Sequence, residues 1–448
     1  MQNVALSSLK SRKKWTSKGT SRVQPVEATL KNVNQIVNEI GITRIADITD
    51  MDRLKIPNFS SVLPGTEDYI WVYGGKGPTR NHARASAIME SIERFSSLPR
   101  NYDADKTVRG SYEELSKSHN ILKYSDVVEP VSFSLDDKMM MDYCVGYDLM
   151  SKKNILVPLS LALFKYIPKP PSVNPYAFYH TNGLASGNVI EEAICHSLCE
   201  VIERDAVSIA EFVSSASQFH ILRTIENALI HNGVKLKPLE SRKFIDDNEI
   251  YPDVDLKDIG EDNEPTRKLL EKFENCQISI KVKDVTSDIG IPTFIASSVE
   301  WINHDYGYLV EGHGTHPDSR IAMIRAITEV SQSRAANIQG SRDDLRKMKY
   351  DPDDSDDKRS WQFIESSKNI KFSEIKSYHN DDILDDIKLI LAKLKEGKLN
   401  RAIIVNLTHP KINIPVVRAI VPGLETFKVN KSIVGNRAKE SFAKCLNQ

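Results

Sequence analysis

The chain has 448 residues, enough for two or three domains or one large one, with 40% hydrophobic and 27% charged residues, as in water-soluble globular proteins. Sixty Lys and Arg face 61 Asp and Glu, and this balance excludes a general basic binder of nucleic acid. No stretch approaches roughly 18 apolar residues, and the N-terminus MQNVALSSLKSRKKWTSKGTSR has no apolar core, so neither a membrane-spanning helix nor a secretory signal is expected.

In chain order, residues 26–40 show helical periodicity after Pro25. DYIWVY (68–73) reads as a strand ending in the turn Gly74-Gly75-Lys76-Gly77-Pro78, and a helix follows from His82 to Ser96. Residues 141–163 alternate like short strands, and a Pro-rich connection comes next. TNGLASGN is a Gly-rich turn leading into a helix from Ile190 to Ser214. Residues 240–270 read as charged surface, and IPTFIASSVE as a strand. EGHGTHPD is another Gly-rich turn and feeds a helix from Ser319 to Ile338. The acidic stretch 350–385 reads as a surface insertion or mobile loop, 384–396 as a helix, and RAIIVNL and IPVVRAIV as late strands. Strands and helices mix throughout, which gives an α+β (mixed α/β) class.

One design recurs three times: a strand, a Gly-rich turn and a helix that carries glutamate. Spacings of three and four put side chains on one helix face. Ser86, Glu90, Glu93 and Arg94 share a face of the first helix. Glu192, His196, Glu200 and Glu203 share one on the second, with Arg204 at its edge; Arg325, Glu329 and Gln332 share one on the third. Their neighbours are small or apolar, so these carboxylates are expected to be partly buried, which is costly without a cation. Magnesium, a hard cation shared between carboxylates and phosphates, resolves the conflict. Nearby Arg and Lys would hold phosphate, and backbone N–H groups at the Gly-rich turns would face it. A single Glu-x-x-Glu-Arg would read as a surface stripe with a salt bridge; three copies point to function. Neither a Walker A motif nor a Rossmann GxGxxG is present. The five cysteines are scattered, as in a reducing cytoplasm, and Cys195 and Cys199 read as packing thiols rather than metal ligands.

GGKGPTRNHARASAIMESIERFS, TNGLASGNVIEEAICHSLCEVIERDA and GHGTHPDSRIAMIRAITEVSQSR, in this order, resemble the three glutamate helices of the YcaO family. The resemblance runs to about residue 430 and implies a YcaO-type fold, with the helices packed on β-sheet around one site for ATP and Mg2+. It implies an N-terminal segment (1–60), a catalytic domain (61–430) and a C-terminal tail (431–448). The implied magnesium ligands are Glu90, Glu93, Glu192, Glu200, Glu203 and Glu329. Lys14, Ser21, Ser86, Glu93, Arg94, Arg204 and Gln332 would contact ATP, with Arg22 close to Ser21. Glu200, Glu203, Arg204 and Gln332 would serve catalysis.

YcaO proteins phosphorylate a backbone amide oxygen of a peptide or protein, so that a nucleophile can replace it. IQGSRDDL (338–345) and NLTHPKINIPVVRAIVPGLE (406–425) resemble the branch associated with TfuA proteins and archaeal thioamidation. The ending SFAKCLNQ lacks the PxPxP tail frequent in azoline-forming members. The branch implies thioamidation by sulfide or another sulfur donor. The implied product is thioglycine in methyl-coenzyme M reductase, whose alpha subunit would be the protein substrate. A TfuA-type partner, a homodimer and a cytoplasmic location are also implied, with neither nucleic acid nor membrane as partner. Two other readings stand beside it: azoline-forming cyclodehydration, and a nucleotide-binding scaffold without chemistry.

Overall fold

The computed structural model describes residues 4–15, 20–65, 71–129, 136–216, 229–235, 250–260, 263–301, 307–340, 361–429 and 431–446. In chain order the strands are β1 (Arg44–Asp47), β2 (Asn58–Val62), β3 (Val72–Lys76), β4 (Val108–Ser111), β5 (Met140–Asp148), β6 (Lys153–Pro158) and β7 (Leu184–Ser186). They continue with β8 (Asp253–Asp255), β9 (Lys281–Asp284), β10 (Thr293–Trp301), β11 (Gly307–Thr315), β12 (Asn369–Lys371), β13 (Ile403–Asn406) and β14 (Val416–Ile420). The longer helices are α1 (Val26–Asn34), α2 (Arg80–Ser97), α3 (Ile190–Ala216), α4 (Glu264–Asn275), α5 (Ser319–Gln339), α6 (Ile383–Glu396) and α7 (Asn436–Leu446).

Three sheets each carry one glutamate helix. The antiparallel sheet β1-β2-β3 carries α2, and β4-β5-β13-β14-β7, with β6 also paired to β5, carries α3. The sheet β11-β10-β9-β8-β12 carries α5, and its β8–β12 pair is parallel. Side-chain caps set where two of these helices begin. Thr79 Oγ1 accepts from His82 N at the start of α2, and the Asp318 carboxylate accepts from Arg320 N at the start of α5. Gly340, at φ +62°, ends α5 in the left-handed conformation that glycine adopts without strain.

The glycine-rich segments expected to be phosphate-facing turns are largely strand. β3 runs through Gly74 and Gly75, and β11 through Gly312 and Gly314; β7 lies between Gly183 and Gly187. A Cβ on Gly75 would meet Ala83 O and Ala87 N, and one on Gly314 would meet Ala322 O and Ala326 N. A Cβ on Gly187 would likewise meet Ala193 N. The glycines thus let each helix backbone approach closer than a side chain would permit. The facing alanines, Ala83, Ala87, Ala193, Ala322 and Ala326, are fully buried. With the alanine face against the strand, helical spacing turns the glutamate face toward the space where the three helices meet.

Other expectations change at the margins. α1 stops at Asn34 rather than 40; Ile36 and Ile40 are still buried, but from the turns that follow. A boundary at residue 60 would cut β2, so the N-terminal segment is part of the first sheet. Residues 240–270 include β8 and the start of α4. Of the expected insertion, 350–360 lies outside the described residues. Residues 361–385 are built into the domain: Trp361 packs on Tyr251 with ring centroids 5.8 Å apart, β12 pairs with β8, and Asp382 caps α6. The acidic composition there misled because Asp382 caps α6 and accepts from Arg12 N rather than facing solvent, and Asp386 just beyond it is a buried ion-pair partner. The C-terminal tail docks as α7, with Ala438 against Ile209 and Val213 of α3 and Arg437 paired with Asp205 at 2.8 Å.

Candidate active site

α2, α3 and α5 meet around a cleft of about 790 Å3. Ser86, Glu90, Glu93 and Arg94 line it from α2, Glu192, Glu200, Glu203 and Arg204 from α3, and Glu329 and Gln332 from α5. Ser21 and Arg22 reach it from the N-terminal segment. Gly74 on β3 makes room for the Gln332 amide, whose Nε2 occupies the space a Cβ would need. Lys14 is not among the lining residues; its ammonium lies 2.5 Å from the buried carboxylate of Asp386.

The glutamates brought together here are in different electrostatic states. Glu192 is occupied: it accepts from Val23 N at 2.6 Å, Asn188 N at 2.8 Å and Asn188 Nδ2 at 2.9 Å, and Arg22 lies 3.5 Å away. It ties the N-terminal segment to the start of α3. Glu329 is occupied as well, by Lys76 and by His313 Nδ1 at 3.5 Å. Glu90 pairs with Arg94 at 3.1 Å.

The remaining three are buried or half-buried and only partly compensated. Glu93 accepts from the Ser186 N–H at 2.8 Å and the Ser186 hydroxyl at 2.7 Å, yet burial pushes its carboxyl up to about 7. Burial also pushes Glu200 up to about 7, opposed by Arg204 and reinforced by Glu93 and Glu203. Glu203 is 7% exposed, and its Oε2 has no hydrogen-bond partner. Arg94, Arg204, Arg325 and the buried Arg418 offset part of this charge, yet Glu203 Oε2 keeps no hydrogen-bond partner among the described residues, and an open carboxylate oxygen beside Glu93 and Glu200 is what a divalent cation would take. The residues present therefore fit magnesium.

Basic residues line the same cleft. His196 is pushed well below the usual imidazole range by burial and then by Arg325, Arg22, Lys76 and His316. Arg22 and Lys76 are paired with Glu192 and Glu329, while Arg325 acts on His196 and on Glu203 and Glu200 alike, so positive charge lines the cleft beside the carboxylates. Lys428, Glu311 and His316 also line the cleft and were missed; ETFKVN and the Gly-rich GHGTH carry no pattern that marks them.

Cys195, His316 and Asp386 come within 4.8 Å of one another. They do not make a metal centre. His316 Nδ1 accepts from Asp318 N at 2.9 Å, so the ring proton is on Nε2 and no lone pair faces the cluster. Lys14 already supplies the cation for Asp386. Cys195 is kept protonated by its hydrogen bond to Cys199 and by burial, as expected of packing thiols.

The sequence profile of the family described as YcaO cyclodehydratase, ATP- and Mg2+-binding, matches residues 74–425. The chain belongs to the YcaO family. YcaO proteins are ATP-dependent enzymes, and this YcaO domain binds ATP and Mg2+. An uncharacterized protein of Methanothermobacter thermautotrophicus is 34% identical over 431 residues, 94% of this chain and 99% of its own. An uncharacterized protein in the tfuA 3′ region of Rhizobium leguminosarum is 27% identical, over 89% of this chain and 87% of that protein. Among solved structures, a heterocyclase in complex with substrate and cofactor superposes with a TM-score of 0.71 at 20% identity. That match covers 94% of this chain, which spans about half (54%) of the heterocyclase. YcaO from Methanopyrus kandleri, bound with AMPPCP and Mg2+, superposes with a TM-score of 0.67 at 22% identity over 95% of this chain and 98% of that one. Both likenesses bear out the mixed α+β fold. Among the described residues no helix is long and apolar enough to cross a membrane.

The raised glutamates predict a pH dependence for this YcaO protein. Glu93 and Glu200 rise from 4.5 in the unfolded chain to about 7 in the fold, so between these values the folded protein holds protons that the unfolded chain has released. Their contribution to stability therefore falls as pH rises through that window and levels off above it. Urea unfolding of wild type and Glu200→Gln at about pH 5 and about pH 8 tests this. The variant is expected to gain stability relative to wild type at the higher pH; an unchanged difference would refute it.

Proposed function

We propose that this YcaO protein uses ATP and Mg2+ to phosphorylate a backbone amide oxygen of a protein or peptide, and that sulfide then replaces that oxygen to give a thioamide. The observation that carries the activation step is the composition of the cleft. Buried and half-buried carboxylates at Glu93, Glu200 and Glu203, the last with an open oxygen, share one cleft with Arg22, Arg94, Arg204, Arg325 and Lys76, which is the mixture a metal–phosphate chain complements. Glu90, Glu93, Glu200 and Glu203 would hold magnesium, which supplies charge neutralisation at the phosphate oxygens. Arg204, beside Glu200 and Glu203, would bear on the transferred phosphoryl group, and Ser21, Ser86, Arg94 and Gln332 would orient the nucleotide.

The amide oxygen takes the terminal phosphoryl group and ADP leaves. Hydrosulfide adds to the activated carbon, the C–O bond breaks, and inorganic phosphate departs with the former amide oxygen and the S–H proton, which leaves the C=S bond. A protein nucleophile is not required. The choice of sulfur is supported by the 338–345 and 406–425 motifs and by the relative in a tfuA 3′ region. We infer a glycine of methyl-coenzyme M reductase as the target, a TfuA-type partner, and a homodimer acting in the cytoplasm.

Product mass tests the reading. Incubation with substrate, ATP and sulfide is expected to add about 16 Da per modified residue, the difference between sulfur and oxygen. A loss of about 18 Da as water would instead establish azoline formation, the activity its family description names. ATP binding without phosphate release in the presence of substrate and sulfide would mark the chain as a scaffold. Comparing the proteome with and without this gene by mass spectrometry would identify the substrate.

A further inference from the structure

Glu329 occupies the third helix at the position expected to ligate magnesium, yet its surroundings differ from those of Glu203. One carboxylate oxygen is bound by the Lys76 ammonium, and the other lies 3.5 Å from His313 Nδ1. The second ring nitrogen of His313 lies 3.2 Å from Glu311 Oε2. Both nitrogens thus face carboxylates, which only accept hydrogen bonds, and this favours a proton on each. Glu311 in turn is matched by Lys428 at 2.8 Å and by the Gln362 amide at 2.8 Å. This alternating chain of charges crosses from β3 through α5 and β11 to the segment after β14. Within it Glu329 meets both Lys76 and His313, whereas Glu203 Oε2 has no hydrogen-bond partner among the described residues. Against the cost of burial, Lys76 and His313 also hold the Glu329 carboxyl well below the usual range.

We propose that Glu329 is not a magnesium ligand but the anchor that aims Lys76, and that the Lys76 ammonium is the group offered to the phosphate chain. A metal at Glu329 would have to displace an ammonium that the backbone already holds in place. Lys76 ends β3, where it pairs with Asn58 of β2, so its stem starts from a fixed strand. Its side chain lines the cleft at 22% exposure and is among the cations that act on His196. An ammonium has three donors, and Glu329 takes one.

This inference rests on the reading of the cleft as an ATP site, and the experiment separates the two. AMPPCP binding is measured by titration calorimetry for wild type, Lys76→Met, Glu329→Gln and the double variant, each at a series of Mg2+ concentrations. Lys76→Met is expected to weaken AMPPCP binding by about tenfold, and Lys76→Arg by much less. In the Glu329→Gln background the same lysine substitution is expected to cost less than about twofold, since an unanchored ammonium no longer contributes. The Mg2+ concentration giving half-maximal binding is expected to be unchanged in Glu329→Gln. An upward shift of that midpoint, or an equal loss from Lys76→Met in both backgrounds, would overturn the inference while leaving the ATP site standing. Failure of wild type to bind AMPPCP would overturn both. Unfolding curves without ligand identify any variant that does not fold, and Lys76→Gln then takes the place of Lys76→Met.

Discussion

Replacing Glu203 with glutamine is expected to lower ATP turnover by roughly a hundredfold or more while leaving the fold intact. Glu203 lies deep in the cleft at 7% exposure, with one carboxylate oxygen without a hydrogen-bond partner among the described residues and the like charge of Glu200 on the same helix face. Glutamine keeps the shape and removes the charge. The ligand-free protein then carries one fewer partly compensated buried anion, so its stability is expected to be unchanged or higher. The cation that bridges carboxylates to phosphate loses an anionic oxygen, which acts on turnover and not on folding. Phosphate release with substrate and sulfide, measured beside thermal unfolding, checks both halves. Turnover within tenfold of wild type would remove Glu203 from the site; a collapsed melting curve would make it a structural residue.

The second large effect is expected at a glycine that touches no ligand. Gly314→Ala places a methyl group against Ala322 O, with Ala326 N at 2.6 Å, both backbone atoms of α5. Backbone cannot rotate aside as a side chain can, so β11 and α5 must separate. A loss of about 3 kcal/mol is expected in urea unfolding. Because Gln332 and Glu329 ride on α5, nucleotide binding is expected to weaken with it. An unchanged unfolding midpoint would show that the strand–helix contact is looser than the geometry indicates. This effect is independent of any chemistry in the cleft, so it tests the repeated strand–helix design itself.

Much of this was legible before the fold was known. The three glutamate helices were expected at 82–96, 190–214 and 319–338, and they occur at Arg80–Ser97, Ile190–Ala216 and Ser319–Gln339. Periodicity over four or more turns is a strong local signal, and the caps at Thr79 and Asp318 sharpen it. The glycines were misread because isolated glycine-rich stretches are turns more often than strands. Their strand character follows from a helix backbone lying within contact distance, and a local stretch of sequence does not carry that. The segment 361–385 was misread for the same kind of reason. Its acidic residues look solvated until Asp382 receives Arg12 N and Ser366 N reaches Asp253.

By itself the sequence determined which side chains share a helix face, because spacings of three and four are a property of the α-helix wherever it is placed. It also determined that one of these faces bears alanine and another glutamate. Only the tertiary structure decided which glutamates still need a cation. Val23 N meets Glu192 across 169 residues, Lys76 meets Glu329 across 253, and Ser186 meets Glu93 across 93. Whether a buried carboxylate is satisfied or open to metal depends on donors brought from such distances, and those donors are set by packing rather than by the local pattern of residues.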